Sequence, residues 1–435
     1  MTSPRRFEQD LPALLADLYV GGLPDYRDDI VLTTAATRQR PAWTFPERWI
    51  PMDVAMRRLP VARLPWRTLA IAALIAILAA AALFVAGSRQ RVPPPFGPAA
   101  NGPIAYSVNG QILVRDSFAA GTRVIIDGPG AAFPTFSPDG TKVLFSRTTN
   151  GEEILYVAAA DGTSERRVFD QPLRNAAATW SPDSRTIALE TDLDYVPELQ
   201  MVNAPALLIV NADGSGSRRF DLAPLRPSDV VFRPPDGATM LVRARVDTGQ
   251  QDLYLMNADG SNRRALGIPS PLLFGPDWDV SGATYSPSGD RIAFNAVEAD
   301  PVSGYQHFRV HLRQPDGSGD VEVASPNAYI QEAWPAYSPD GKWILVHRWQ
   351  WKADGGKGWL AVLPADGSTV GRDIGPKVDG GEDTGLTKAW SPDGTKVLVR
   401  ADNTKQLFSI DPTTGAYEEL PWGSMDLPNV RRMAP

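Results

Sequence analysis

The chain contains no cysteine, so disulfides and thiolate metal sites are excluded and the fold must rest on core packing and chain closure. Histidine is nearly absent as well, with His307, His311 and His347 the only three. His307 and His311 share one strand face, but no third ligand follows at metal-site spacing, so the histidines read as ordinary strand residues and no metal or other cofactor is expected. No phosphate-cradling glycine loop is present. Basic residues are in deficit over most of the chain: 31 Lys/Arg face 42 Asp/Glu in residues 92–435, which argues against nucleic acid as a ligand. Residues 1–91 have the opposite balance, 12 against 8.

Against these absences stands a phrase written six times, an aromatic followed by Ser-Pro-Asp-Gly or a near variant. The copies begin at Phe136, Trp180, Phe232, Tyr285, Tyr337 and Trp390, spaced 44, 52, 53, 52 and 53 residues apart. Proline presets φ for the second turn position, Asp tolerates the third, and Gly takes the conformation that a β-carbon disfavours. Short apolar runs follow each turn: Lys142–Arg147, Thr186–Thr191, Arg291–Ala296, Trp343–Arg348 and Lys396–Ala401. A second apolar run ending in a polar turn comes next, as in Leu253–Gly260 and Leu360–Gly367. With a third, weaker run and the segment leading into the aromatic, each unit holds four short strands. Four antiparallel strands repeated at a fixed period of about fifty residues predict an all-β propeller.

On these residues the segment from about 96 to 435 resembles the TolB-like, WD-repeat-like β-propeller family, in which this turn leaves the innermost strand of a blade. Departures are local: Ser184 replaces the turn Gly, Ser288 the turn Asp, and Pro234-Pro235 adds a residue. Ahead of the first copy, Ile104–Val108, Gln111–Arg115 and Arg123–Ile126 read as three more strands, and Asn429–Met433 as the inner strand they lack. The count is therefore seven blades closed by the two chain ends, with the six blades typical of TolB as the alternative.

Leu69–Ala86 is an uncharged apolar run of eighteen residues, and the uncharged span continues from Thr68 to Ser88. At about 1.5 Å per residue this spans a bilayer core of about 30 Å, which predicts one transmembrane helix. Five arginines (Arg48, Arg57, Arg58, Arg63, Arg67) precede it closely and only Arg89 and Arg91 follow, so the N-terminus is expected in the cytoplasm and the propeller outside. The expected domains are a partly disordered helical leader (1–66), the membrane helix (67–88), a Pro/Gly linker (89–101) and the propeller (102–435).

In the leader, Phe7, Leu11, Leu14, Leu15 and Leu18 form one helical stripe, and Asp25–Thr37 a second short helix entered at Pro24. Leu11, Leu14, Leu15 and Leu18 are candidates for docking a cytoplasmic partner. Leader, single membrane helix and outer domain together are similar in plan to membrane-bound anti-sigma factors, which implies a sigma factor or other regulator as partner. The zinc-type His and Cys pattern of such factors is absent.

The propeller offers few chemical groups. The Asp-Gly turns lack the further oxygen ligands of a calcium loop. With no Gly-x-Ser-x-Gly elbow and no hydrolase domain after the propeller, a prolyl-oligopeptidase-like peptidase is not expected. Acidic residues cluster at Glu190, Asp192, Asp194 and Glu198, and again at Asp379, Glu382 and Asp383. Trp349, Trp351 and Trp359 bracket a Gly- and Lys-rich loop, while Trp343 reads as core. Exposed tryptophans there would form a platform for a sugar or a peptide. The candidate ligand-binding residues are thus Trp349, Trp351, Trp359, Asp192 and Asp194. The expected role is a non-enzymatic one: a membrane-anchored propeller binding an extracytoplasmic protein, peptide or glycan. A propeller lyase or glycosidase is the alternative.

Overall fold

Each turn phrase locks itself with the same hydrogen bonds. In the computed structural model, the Ser137 hydroxyl donates to Asp139 Oδ1 at 2.6 Å and accepts from Lys142 N at 3.0 Å, while Gly140 N donates back to Ser137 O at φ +69°. The Ser181, Ser338 and Ser391 hydroxyls repeat this arrangement with Asp183, Asp340 and Asp393. Where Ser288 stands for the turn Asp, Asp290 takes over and accepts from Ser286 Oγ at 2.7 Å. Ser184, in place of glycine, adopts φ +60° and accepts from the backbone N–H of Asp139 in the neighbouring blade at 3.1 Å. Burial pushes the Asp139, Asp340 and Asp393 carboxyls up, but the serine and backbone donors outweigh it and hold them below the ordinary carboxylate value.

The structure describes residues 71, 73–76, 93–169, 171–172, 177–192, 195–196, 201–202, 205–245, 251–267, 282–299, 306–327, 329–350, 356–380 and 385–434. The chain divides into two units, Met1–Arg89 and Gln90–Pro435. The second holds seven four-stranded antiparallel sheets, so the seven-bladed count holds. From the channel outward, blade 1 is Asn429–Met433, Ala100–Val108, Gln111–Arg115 and Thr122–Ile126. The inner strands of blades 2 to 7 are Ala131–Phe136, Ala177–Trp180, Arg226–Phe232, Ala283–Tyr285, Ile330–Tyr337 and Leu386–Trp390. The acidic insertion of blade 3 carries a small hairpin pairing Tyr195–Val196 with Met201–Val202.

Second and third strands are apolar on both faces because each is sandwiched between neighbouring blades; Val397–Ala401 is buried at every position. Fourth strands such as Tyr417–Glu419 are fully exposed. Apolar clusters bridge each pair of adjacent blades in turn, from Ile112 and Phe145 between blades 1 and 2 to Leu398 and Val430 between blades 7 and 1.

The ring closes where the C-terminal strand pairs with the first, Ala100 opposite Met433 and Ala105 opposite Asn429. Asp426, buried, accepts from Ser107 N (3.0 Å), Ser107 Oγ (2.7 Å) and Phe133 N (2.7 Å), and so joins the chain end to blades 1 and 2.

The leader stripe with Leu11, Leu14, Leu15 and Leu18, the second leader helix and most of Leu69–Ala86 lie outside the described residues. Ile71 and residues 73–76 are helical. Among the described residues no helix is long and apolar enough to cross a membrane.

Asp426→Ala would strand three donors, two of them on one buried serine, and is expected to destabilise the propeller by roughly 3–5 kcal/mol, read by urea unfolding.

Candidate functional site

Alignment of the six units on their turn aromatic isolates one position. Two residues before it stand Pro134, Ala178, Val230, Ala283, Pro335 and then Lys388. The position shares a strand face with the aromatic. Val230 and Ala283 are buried there in clusters between blades, and Ala178 packs against another. Lys388 therefore brings an amine to a place built for small apolar side chains, on the innermost strand of blade 7. Its neighbour Trp390 reaches into blade 6 and donates from its indole to Ala336 O at 3.1 Å.

Lys388 is half-buried, and no carboxylate pairs with it among the described residues. Desolvation alone lowers its ammonium from the ordinary lysine value to about 7. Across the blade interface lies His347, fully buried, whose pKa is pushed well below normal first by burial and then by the charge of Lys388. The His347 ring stacks on Trp334 at 5.0 Å, and Trp349 lies 5.3 Å from His347 and 5.5 Å from Trp334.

Behind this group sits an ion network. Arg348, 2% exposed, donates from Nε to Oε1 of Glu332, itself 0% exposed, at 2.7 Å, and from Nη1 to Asp373 Oδ1 at 2.9 Å. Its Nη2 also reaches Glu332 and the carbonyl of Val370. Burial raises the Glu332 pKa against the pull of Arg348. Lys377 completes the network, 3.4 Å from Asp373 and 4.2 Å from the Trp359 ring. Gln331 accepts from Phe308 N at 2.6 Å through its side-chain oxygen. Its Nε2, and Nε1 of Trp349 opposite it across the strand pair, have no acceptor among the described residues.

These facts place the residues singled out by sequence. Trp349 is fully buried, packed on Phe308 at 5.2 Å, and Trp359 is 5% exposed. Both have become core, because the blade buries both faces of its middle strands, so the two do not present the exposed platform expected of them. Trp343, read as core, is instead 38% exposed with the Arg372 guanidinium 5.7 Å from its ring. Trp351 and Asp194 lie outside the described residues, as do Glu382 and Asp383. Asp192 ends the second strand of blade 3, opposite Pro205, and Asp379 pairs with Lys357 at 2.7 Å. His311 stacks on Phe294 and sits 3.4 Å from Asp320. Lys388 escaped the reading by motif because one lysine in a strand carries no signature; its contrast with five small or apolar counterparts is the signal that finds it.

No family model matches the chain. A curated protein of Bacillus subtilis (strain 168), the uncharacterized peptidase YuxL, is 24% identical over 220 residues, covering 49% of this chain and 28% of its own length. Among solved structures the chain is similar to a prolyl endopeptidase (TM-score 0.51, 15% identity, 75% of this chain and 50% of that one). It is also similar to a puromycin hydrolase (TM-score 0.50, 17% identity, 78% and 54%). TolB from Acinetobacter baumannii is more distant in shape (TM-score 0.45, 15% identity, 75% and 81%). At these identities the structural likeness speaks for the fold alone. The chain spans about a quarter of the curated relative's length, 28%. The expectation of a propeller that is not an enzyme is corrected here: the sequence relative bears a peptidase name, and enzymes share the propeller fold.

The Lys388 shift has a defined sign. Its folded pKa lies near 7 and its unfolded pKa near the ordinary lysine value, so the unfolded chain holds the extra proton between them. Lys388 thus lowers stability fully below pH 7, and this cost fades as pH rises toward 10. Lys388→Met is expected to stabilise the propeller by a few kcal/mol at pH 6 and by much less at pH 10, compared by urea unfolding.

Proposed function

We propose that this chain is the propeller of a peptidase-type enzyme, and that its central channel holds a peptide substrate against Lys388. The observation that carries the reading is Lys388 itself, an amine without a carboxylate partner among the described residues, at the inner end of the blade 6–7 interface. An ammonium poorly solvated by water, with no carboxylate partner among the described residues, suits a carboxylate brought by a ligand. The peptidase name of the sequence relative supports peptide as the ligand class. With no Gly-x-Ser-x-Gly in the sequence, the role assigned to these residues is holding the substrate. In this proposal Leu69–Ala86 anchors the chain in a membrane.

A second reading, Lys388 as the base of a lyase, draws on the same amine, which is half neutral near pH 7. The two differ in sign: carboxylate binding weakens as pH rises through about 7, whereas base catalysis strengthens.

Calorimetric titration of the full chain with an N-acetyl dipeptide and its C-terminal amide tests the first reading. The acid is expected to bind about tenfold tighter than the amide at pH 6, with the difference gone at pH 9 and gone in Lys388→Met. Equal binding of acid and amide by the unaltered chain would overturn it. Incubation with a peptide mixture and with oligosaccharides, read by mass spectrometry, tests the enzyme class; no cleaved or eliminated product from either would count against it.

A further inference from the structure

Two inner strands break their ladder in the same way. Blade 2 reads Ala132-Phe133-Pro134-Thr135-Phe136 and blade 6 Ala333-Trp334-Pro335-Ala336-Tyr337. Each has a register shift at these residues, between Ala132 and Thr135 and between Ala333 and Ala336. In each, the aromatic before proline adopts a left-handed backbone, φ +55° at Phe133 and +54° at Trp334. A bulky residue is strained there by about 1–3 kcal/mol, and glycine would not be. Yet both positions hold large rings, and Phe133 is 63% exposed. Among the counterparts at the third position before the turn aromatic, Ala177 and Thr387 in blades 3 and 7 are exposed as well, Asp229 in blade 4 is half-buried and Gly282 in blade 5 is buried. On the innermost strand, an exposed side chain turns to the channel.

We infer that the two bulges exist to place Phe133 and Trp334 in the channel as apolar contacts for an aromatic side chain at the carboxylate end of a bound peptide. This rests on the reading of Lys388 given above. Trp334 adjoins Lys388 through His347, and Phe133 stands three blades further round a ring of seven, nearly opposite. A ring next to the ammonium and a second ring facing it across the channel would offer a carboxylate with a bulky apolar neighbour contacts on two sides. Phe133, strained and 63% exposed, has no packing rationale for its backbone angle, whereas Trp334 is partly buried and packs on His347 and Trp349. Asp426 holds the strained Phe133 N–H at 2.7 Å, so the same latch that closes the ring sets this ring's position.

The test uses N-acetyl-phenylalanine and N-acetyl-glycine, titrated into the full chain, Phe133→Gly, Trp334→Gly and Lys388→Met. The unaltered chain is expected to prefer the phenylalanine probe by tenfold or more. Phe133→Gly relieves its φ, so it is expected to leave the melting temperature equal or higher while cutting the preference about tenfold. Trp334→Gly should cut it as well, with some loss of stability because Trp334 packs on His347 and Trp349. Lys388→Met should weaken both probes alike. No preference in the unaltered chain, or a preference kept by Phe133→Gly, overturns the inference. If Lys388→Met leaves both affinities intact while Phe133→Gly removes the preference, the Lys388 reading fails and the aromatic site stands.

Discussion

Closure of the ring is the constraint on which everything else depends. A blade of this protein cannot be stable alone, since its middle strands carry apolar side chains on both faces and need a neighbour on each side. In an open array the two end blades would each leave one such face in water. Here blade 1 borrows its inner strand from the far end of the chain, more than three hundred residues away. Asp426 then ties that end to Ser107 and to Phe133. The N-terminal side adds its own clasp: Ala99 N donates to Pro392 O, and Asp393 N to Asn101. With no disulfide available, these polar contacts specify how the ends meet, while the apolar clusters supply most of the free energy.

The turn phrase serves the same end at a smaller scale. Its Ser, Asp and Gly look like ligands when one copy is read alone, but their donors and acceptors are consumed within the turn. Where a copy departs from the pattern, the chemistry is conserved by other means. Asp290 replaces the missing turn Asp through the same serine hydroxyl, and Ser184 offsets its left-handed backbone with a bond into the next blade. Variation that preserves the hydrogen bonds is structural variation. Lys388 is of another kind, because no carboxylate among the described residues compensates it.

Much of this fold was legible in the sequence because a period of about fifty residues and a turn motif are local signals. Even the long-range pairing of Asn429–Met433 with the first blade follows from counting strands. The site was much less legible. Exposure depends on which blade faces a strand, and local pattern does not carry that. Trp349 and Trp343 exchanged their expected places for this reason: six residues apart on one strand, one is buried between blades and the other is exposed where the strand leaves the turn. Phe133 and Trp334 were hidden by a different cause, since a left-handed backbone before proline leaves no mark in the apolar pattern. A membrane anchor and a docking leader rest on composition alone, and the residues concerned lie outside the described structure.

The distribution of unfavourable features points the same way as the chemistry. Several costly arrangements gather on the inner strands of blade 6, at its junctions with blades 5 and 7. Glu332 and Arg348 are desolvated together, which a pair of apolar residues would avoid. Gln331 and Trp349 keep buried donors without acceptors among the described residues. Trp334 is held at a backbone angle suited to glycine, and Lys388 is an amine in an apolar slot. Any one of these is tolerable in a closed ring with seven well-packed interfaces. Single costs of these kinds recur elsewhere in the ring, in Phe133 of blade 2 and in buried atoms such as Ser146 Oγ and Tyr285 Oη, whereas blade 6 and Lys388 beside it combine several. Stability spread around the whole ring sustains these local costs.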